Sequence, residues 1–212
     1  MPKITALKVQ KNNLNRLNIY IDGEFAFGVE RLVGAWLNIG DEIDKEKIET
    51  LLKKDELEKA YMRALRLINT RPRSIFEVTS RLKKAGYGEE IIASVINRLK
   101  NANLVGDAEF ARIWVENRCI FRPRSKRALV LELHQKGLAD TEIQSAICNL
   151  DESSLALKTA EKYASRCKDL PFDEFRIKMT GYLARRGFTF GTTQQAVQQI
   201  WHSLQMGAEF LP

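Results

Sequence analysis

The chain has 212 residues, of which 44% are hydrophobic and 29% are charged. This composition excludes an intrinsically disordered chain, which has too few apolar residues to form a core. The five prolines and twelve glycines are scattered, so no flexible or polyproline linker is expected and the modules should pack on one another.

The formal net charge of +7 is concentrated in the middle of the chain. Residues 1–59 carry 10 basic and 11 acidic side chains, residues 60–150 carry 16 and 9, and residues 151–212 carry 8 and 7. A helical surface that is merely solvated is commonly charged. The concentration of the whole excess in one segment nevertheless favours a binding site for a polyanion.

Metal and disulfide sites are not expected. The three cysteines, Cys119, Cys148 and Cys167, form an odd set without CxxC spacing, and only His134 and His202 are available as further metal ligands. No segment approaches the roughly 18 apolar residues of a membrane span, and the N-terminus lacks the apolar run of a signal peptide. The sequence therefore predicts a cytoplasmic protein with reduced cysteines, no cofactor and no membrane contact.

The first forty residues have the alternation of β-strands. Residues 4–10 and 17–21 alternate and are rich in branched side chains, and Asp22-Gly23 is a strong signal for a two-residue turn before residues 24–29. The pattern predicts a small antiparallel sheet that contains a hairpin. Residues 31–37 are predicted to form a short helix.

From Asp44, a plausible helix cap, the apolar spacing becomes helical and remains so. Ser74-x-x-Glu77 has the spacing of a capping box at the start of a second helix, and Gly86 stands where a left-handed closing residue is needed. A third apolar stripe follows. Its members are Ile91, Ile92, Val95, Ile96 and Leu99.

The same unit recurs along the chain. The turn at residues 71–74, Arg-Pro-Arg-Ser, is repeated at residues 122–125 with an offset of 51, and Gly86 recurs as Gly137 with the same offset. A third copy is in phase, because Gly187 follows Gly137 by 50 residues. Internal repetition at this spacing predicts units that bury their apolar faces on their neighbours.

The predicted fold is mainly α. A period near fifty fits three helices per unit, and hence three tandem helix-turn-helix-like repeats in an elongated array after the N-terminal sheet. The predicted segments are a β-rich extension at 1–43 and repeats at 44–105, 106–150 and 151–212. In the third repeat the arginine-proline turn is replaced by residues 169–172, Asp-Leu-Pro-Phe.

No catalytic constellation is evident. The sequence lacks GxGxxG, GxxxxGK[ST], HExxH and GxSxG motifs. His134 lies in an amphipathic pattern, where a histidine is more often structural, and the acidic pairs fall at predicted helix starts, where they compensate the helix dipole. The sequence therefore predicts a protein that is not an enzyme.

The basic residues form a richer pattern. Five of them lie within ten residues of the second repeat: Arg118, Arg122, Arg124, Lys126 and Arg127. A related set lies one repeat earlier: Arg71, Arg73, Arg81, Lys83 and Lys84. A turn followed by a helix start directs backbone N–H groups and guanidinium groups outward together. This arrangement therefore suits the binding of a phosphate or carboxylate group. The alternative is a proline that stops one helix, a serine that caps the next, and solvated arginines between them.

Three positions of the second repeat are predicted to be structural. Trp114 and Leu133 are predicted to be buried, and Gly137 is predicted to have a positive φ after its helix. Phe110 lies four residues before Trp114, and Asp107 is the predicted cap of their helix.

The order of several motifs resembles the RecX family of bacterial recombination regulators. The motifs are Phe110-x3-Trp114-x3-Arg118, Arg122-Pro123-x-Ser125, Leu133-x2-Lys136-Gly137 and Tyr182-Leu183-x-Arg185-Arg186-Gly187-Phe188. The match to the family spans roughly residues 60–201, and residues 19–23, Ile-Tyr-Ile-Asp-Gly, look like the N-terminal extension of longer family members.

The resemblance implies three tandem three-helix repeats that bind the RecA recombinase and its single-stranded DNA filament and modulate, most often by inhibition, ATP hydrolysis and strand exchange. It adds Lys136, Arg185 and Arg186 to the predicted binding residues. The replaced turn of the third repeat and the near-neutral N-terminal segment depart from the pattern and are assigned no nucleic-acid role. A monomer is expected.

Two other functions remain open on the residues alone. One is an autonomous binder of double-stranded DNA that uses one three-helix unit as its reading head. The other is a protein-only scaffold whose basic surface meets an acidic partner.

Overall fold

The computed structural model describes residues 1–208. It contains a three-stranded antiparallel sheet with strand order β1-β2-β3, formed by β1 (Ile4–Gln10), β2 (Asn13–Ile21) and β3 (Glu24–Glu30). Within the described residues, helices follow the sheet: α1 (Arg31–Gly34), α2 (Lys45–Thr70), α3 (Ile75–Lys84), α4 (Glu89–Asn101), α5 (Asp107–Phe121), α6 (Lys126–Gln135), α7 (Asp140–Ile147), α8 (Glu152–Ala164), α9 (Phe172–Ala184) and α10 (Phe190–Ala208).

The N-terminal sheet confirms the predicted strands and turn. Asp22 and Gly23 have φ angles of +48° and +91°, as a two-residue hairpin turn of type I′ requires. The inner face of the sheet is apolar, with Ile4, Ile19 and Val29 almost fully buried. The short helix predicted for residues 31–37 is confirmed but ends at Gly34.

Helix α2 serves both the sheet and the first three-helix repeat. Asp44 caps it, because its carboxylate accepts a hydrogen bond from the backbone N–H of Lys47 at 2.8 Å. Leu51, in its first half, packs into the core of the sheet, whereas Ala60 and Ala64, in its second half, belong to the core of the first repeat. The sheet is therefore anchored by the helix that begins the first repeat.

The three predicted repeats are present, each with three helices and its own core. They comprise α2–α4, α5–α7 and α8–α10. The equivalent leucines, Leu82, Leu133 and Leu183, are fully buried. The glycine after each middle helix has a positive φ, of +89° at Gly86, +78° at Gly137 and +89° at Gly187, which confirms the predicted left-handed closing residues.

One predicted cap is wrong. Asp107 is the first residue of α5, and the cap position before it is held by Gly106 in an extended conformation. An aspartate inside the first turn still stabilises the helix through its dipole, which is why the sequence pattern placed it near the helix start.

The chain divides into two compact units. The first unit, Met1–Val105, contains the sheet and the first repeat, and the second unit, which begins at Gly106, contains the second and third repeats. No helix among residues 1–208 is both long enough and apolar enough to cross a membrane. In the same residues, no cluster of three or more histidine, cysteine, aspartate or glutamate side chains is arranged to hold a metal ion.

Candidate nucleic-acid interface

The second arginine-proline turn connects α5 to α6. Pro123 and Ser125 are buried, whereas Arg122 is exposed. The hydroxyl of Ser125 accepts a hydrogen bond from the backbone N–H of Ala128 at 3.2 Å and so caps α6, as predicted. The turn is thus fixed by its proline and serine, and its first arginine points away from the core.

This turn docks on the turn that follows α9 in the third repeat. The backbone N–H of Ser125 donates to the carbonyl oxygen of Arg186 at 3.0 Å. The guanidinium of Arg124 donates to the carbonyl oxygen of Arg185 at 3.2 Å. The two basic segments that the sequence placed 61 residues apart are therefore in direct contact.

Gly187 makes this docking possible. A Cβ atom at this position would lie 2.6 Å from the hydroxyl oxygen of Ser125 and 3.0 Å from the Cβ of Ala128. Because Ser125 is fully buried and caps α6, its side chain has little room to move away. Glycine is thus required here by close approach as well as by its positive φ.

Glu132 on α6 holds several predicted binding residues in place. Its carboxylate accepts a hydrogen bond from the indole Nε1–H of Trp114 at 2.9 Å and from Nε of Arg118 at 2.6 Å. The Nε of Arg124 lies 3.5 Å from its other oxygen. A half-buried carboxylate with three donors is a strong local tether, so Arg118 and Arg124 contribute to the fold.

Trp114 is half-buried rather than buried, which corrects the prediction. One reason is its polar N–H, which must reach Glu132. The other is that two cations cover the ring: the guanidinium carbon of Arg118 lies 4.6 Å, and Nζ of Lys136 lies 5.0 Å, from the ring centroid. The ammonium group of Lys136 is therefore also engaged in a contact within the second repeat.

Four predicted binding residues remain available at the docked turns: Arg122, Lys126, Arg127 and Arg185. We call these four residues the basic joint. Among the described residues, none of their side chains has an ion-pair or hydrogen-bond partner. Each lies within three residues of Ser125 or Arg186, which are joined by the backbone hydrogen bond between the turns.

The start of α6 strengthens the positive potential of the basic joint. Lys126 and Arg127 occupy the first turn of α6, which contains no acidic residue. The two side chains add positive charge to the N-terminal, positive end of the helix dipole. An anion bound here would therefore be stabilised by both the side chains and the backbone N–H groups. The arrangement suits the phosphates of a nucleic acid or the carboxylates of an acidic protein surface.

The side chain of Arg186, unlike that of Arg185, is engaged in a contact within the third repeat. Its guanidinium lies 3.8 Å from the ring centroid of Tyr182, and this ring stacks on that of Tyr163 with centroids 3.9 Å apart. The planar cation is therefore part of an aromatic stack between α8 and α9. Its backbone carbonyl supports the docked turn, and its side chain supports the third repeat.

In the first repeat, the arginines of the equivalent turn are engaged. Arg71 forms a two-point contact with Glu77, at 2.9 and 3.0 Å, and these hydrogen bonds raise the pKa of Arg71. Arg73 donates to the carbonyl oxygen of Leu67 at 2.9 Å, and burial lowers its pKa. Lys83 is paired with Glu89 at 3.4 Å on the surface. Lys84 is exposed and unpaired within the described chain.

A substitution between the repeats explains why Arg71 is paired and Arg122 is not. Glu77, which binds Arg71, corresponds to Ala128 at the offset of 51, so Arg122 has no equivalent carboxylate. In addition, Ile75 is replaced by Lys126. A comparison of the two repeats position by position therefore identifies the second turn as the one with unpaired cations.

Comparison with known proteins agrees with the observed repeats. Residues 2–44 match the model of the regulatory protein RecX N-terminal domain. Residues 60–99, 107–147 and 151–197 match the models of the first, second and third RecX three-helix domains. The regulatory protein RecX of Bacillus licheniformis is 33% identical over 99% of this chain and 81% of its own length. The chain belongs to the RecX family.

Other RecX proteins are similarly related. The regulatory protein RecX of Bacillus subtilis is 34% identical over 94% of this chain and 78% of its own length. A crystal structure of regulatory protein RecX superposes with a TM-score of 0.72 at 26% identity, covering 92% of this chain and 98% of the other. RecX relatives are regulatory proteins by name, and that name is not one of an enzyme.

Sequence reasoning missed two residues that organise the RecX candidate interface. Glu132 collects three donors from α5 and the turn, and Gly187 admits the second-repeat turn. A signal for Glu132 existed, because it is an acidic residue among mostly apolar and basic neighbours in α6. Gly187 was recognised as a helix-closing residue, but its contact with Ser125 depends on the packing of two repeats.

Proposed function

We propose that this RecX-family chain binds the RecA recombinase and its filament on single-stranded DNA, and that it inhibits RecA ATP hydrolysis and strand exchange. Family membership supports a regulatory role, and the observation that carries the proposal is the basic joint. Four unpaired cations on two docked turns form a fixed positive surface, which matches a filament whose DNA phosphates carry regular negative charge.

The engaged residues have a supporting role in this proposal. Arg118, Arg124 and Lys136 shape the second repeat through Glu132 and Trp114, and Arg186 supports the third repeat. In the first unit, Arg71, Arg73, Lys83 and Lys84 are a separate set of proposed binding residues, and of these Arg71, Lys83 and Lys84 are exposed. We further propose that the protein acts as a cytoplasmic monomer, without cofactor or catalytic activity of its own, through segments 1–43, 44–105, 106–150 and 151–212.

The decisive experiment reverses the charge of the three members of the basic joint that lie in the second repeat. The variant carries Arg122→Glu, Lys126→Glu and Arg127→Glu. Arg124 is left unchanged because it binds Glu132 and the carbonyl oxygen of Arg185, and its replacement would disturb the fold. Helical circular dichroism equal to that of the wild type shows that the variant is folded.

The matched control reverses three other exposed cations of the second unit, by Arg166→Glu, Lys168→Glu and Lys178→Glu. Both variants change the net charge equally. RecA ATP hydrolysis on single-stranded DNA is measured against increasing concentrations of each protein. We expect the basic-joint variant to lose inhibition and the control variant to keep it. Equal inhibition by the wild type and the basic-joint variant would place the filament contact elsewhere.

Mobility-shift measurements separate the alternatives. Single-stranded and double-stranded DNA are each tested with and without RecA. Tight binding to double-stranded DNA without RecA, lost in the basic-joint variant, would favour an autonomous DNA-binding protein. Capture of RecA without DNA, together with no DNA binding by itself, would favour a protein-only scaffold. The proposal requires the strongest binding to the RecA filament on single-stranded DNA.

A further inference from the structure

A second exposed cationic and aromatic surface lies in the first unit, far along the sequence from the basic joint. Trp36, in the turn after α1, is 50% exposed and belongs to none of the core clusters of the described residues. An exposed tryptophan loses favourable burial, because its large apolar ring remains in water. Its position therefore needs another explanation.

Two lysines of α2 flank the Trp36 ring. The Nζ atoms of Lys47 and Lys54 each lie 5.9 Å from its centroid. The lysines are seven residues apart, so they occupy one face of the helix about two turns apart. Trp36 remains 50% exposed beside the two lysines, so part of its ring surface is open to a planar ligand.

An apolar groove lies between α1 and α2 in the same unit. It has a volume of about 420 Å³, and Leu32, Ala35 and Met62 line its apolar part. Leu32 is 72% exposed. The exposed Arg31 at its rim has no ion-pair partner within the described residues. The groove thus combines apolar side chains with a cation, and its lining residue Ala35 directly precedes Trp36 in the chain.

The acidic residues of this face are neutralised by the fold. Glu30 lies 3.5 Å from Nη1 of Arg16, and Glu58 is paired with Arg98. Glu49 lies roughly 200° around α2 from Lys47 and so faces away from Trp36. Nζ of Lys47 donates to the backbone carbonyl oxygen of Glu42 at 3.4 Å. The N-terminal segment is near neutral in sequence, yet Arg31, Lys47 and Lys54 have no carboxylate partner among the described residues.

We propose that this face, which we call the Trp36 surface, is a second binding site for a single-stranded nucleic acid. A base stacks on the exposed indole ring, and the two lysines and Arg31 contact phosphates on either side of it. An acidic peptide would satisfy the three cations but would leave the ring without a planar partner. The observations therefore favour a nucleic acid, and the site extends beyond the function proposed for the basic joint.

The test measures the affinity of the full chain for fluorescein-labelled oligothymidylate by anisotropy. Trp36→Ala should weaken binding roughly 5- to 150-fold, the loss expected for one stacked base. Lys47→Glu with Lys54→Glu should also weaken it and reduce the salt dependence. The matched controls in the same unit are Phe76→Ala, another exposed aromatic, and Lys11→Glu with Lys100→Glu. They should bind as the wild type does.

A second readout is specific for stacking. Oligothymidylate should quench tryptophan emission of the wild type, and Trp36→Phe should abolish this quenching while it retains part of the affinity. All measurements are repeated in the basic-joint variant, so that DNA bound at the basic joint does not mask the Trp36 surface. Oligouridylate of equal length distinguishes RNA from DNA as the preferred strand.

Two results would overturn the proposal. One is unchanged oligothymidylate affinity and quenching in the Trp36 variants, in both the wild-type and the basic-joint background. The other comes from titrating the same variants with polyglutamate. Loss of polyglutamate binding in the Lys47→Glu, Lys54→Glu variant, with unchanged oligothymidylate binding, would make the face a docking site for acidic peptides. Because RecA inhibition is not measured here, failure of the function proposed for the basic joint would leave this test intact.

Discussion

Leu133 is a residue whose packing decides the stability of the second repeat. It is fully buried in the core of that repeat, whereas Leu131 on the same helix is 57% exposed. We expect Leu133→Ala to lower the free energy of unfolding by about 2–5 kcal/mol, because it removes buried methyl groups and leaves a cavity. Leu131→Ala should change it by less than about 0.5 kcal/mol. Urea denaturation measures both, and similar values for the two variants would contradict the described core.

Gly187 and Gly86 separate the cost of backbone conformation from the cost of a steric clash. Both have φ of +89°, but only at Gly187 would a Cβ meet another residue, Ser125, at 2.6 Å. Gly86→Ala should cost about 1–2 kcal/mol for the left-handed conformation alone. Gly187→Ala should cost a further 1–3 kcal/mol or so from overpacking.

Hydrogen exchange gives the local readout for this pair. The Ser125 amide, which donates to Arg186, should exchange faster in Gly187→Ala and at the wild-type rate in Gly86→Ala. Unchanged protection of Ser125 in Gly187→Ala would mean that the two turns are not docked as described.

At the scale of secondary-structure elements, α6 combines two roles at its two ends. Its first turn carries the half-buried Lys126 and the exposed Arg127, and Glu132 near its other end binds side chains of α5. Removing that carboxylate leaves a half-buried indole N–H and a guanidinium without their acceptor. We expect Glu132→Ala to destabilise the second unit by about 1–3 kcal/mol.

A second glutamate provides the control for this prediction. Glu116 pairs with Arg112 on α5, and both side chains are more than half exposed. Glu116→Ala removes an arginine–glutamate pair of the same kind at the surface, where solvent screens it, so its melting temperature should stay close to that of the wild type. A melting temperature of Glu132→Ala as high as that of Glu116→Ala would show that the Glu132 contacts carry no net stability.

At the scale of the whole molecule, the charge excess of the middle segment should appear in the salt dependence of DNA binding. Each lost phosphate contact lowers the slope of log K against log salt by roughly 0.7 for a single strand. If Arg122, Lys126 and Arg127 each contact one phosphate, their reversal should lower the slope by about 2. The control at Arg166, Lys168 and Lys178 should leave it unchanged. Titrations at several salt concentrations measure the slope, and an unchanged slope in the basic-joint variant would exclude phosphate contacts there.

Much of the fold could be predicted because its signals are local. The Asp22-Gly23 turn, the caps at Asp44 and Ser74, and the closing glycines depend on backbone preferences of a few neighbouring residues. The candidate site was predicted less well. Trp114 is half-buried and Arg118 is paired, because both bind Glu132. Glu132 lies on the next helix, so no local sequence pattern indicates these contacts.

The sequence by itself determined the order of strands and helices, the three repeats with their closing glycines, and the excess of positive charge in the middle segment. The tertiary structure decided which of those charges are available. Arg124 is engaged by a carbonyl 61 residues away, and Arg122 remains unpaired at the same turn. It also produced the Trp36 surface from a near-neutral segment, by pairing the acids there with Arg16 and Arg98. The physical reason is that the availability of a charge depends on which opposite charges and acceptors lie within a few ångströms of it, and packing brings those partners from distant parts of the chain.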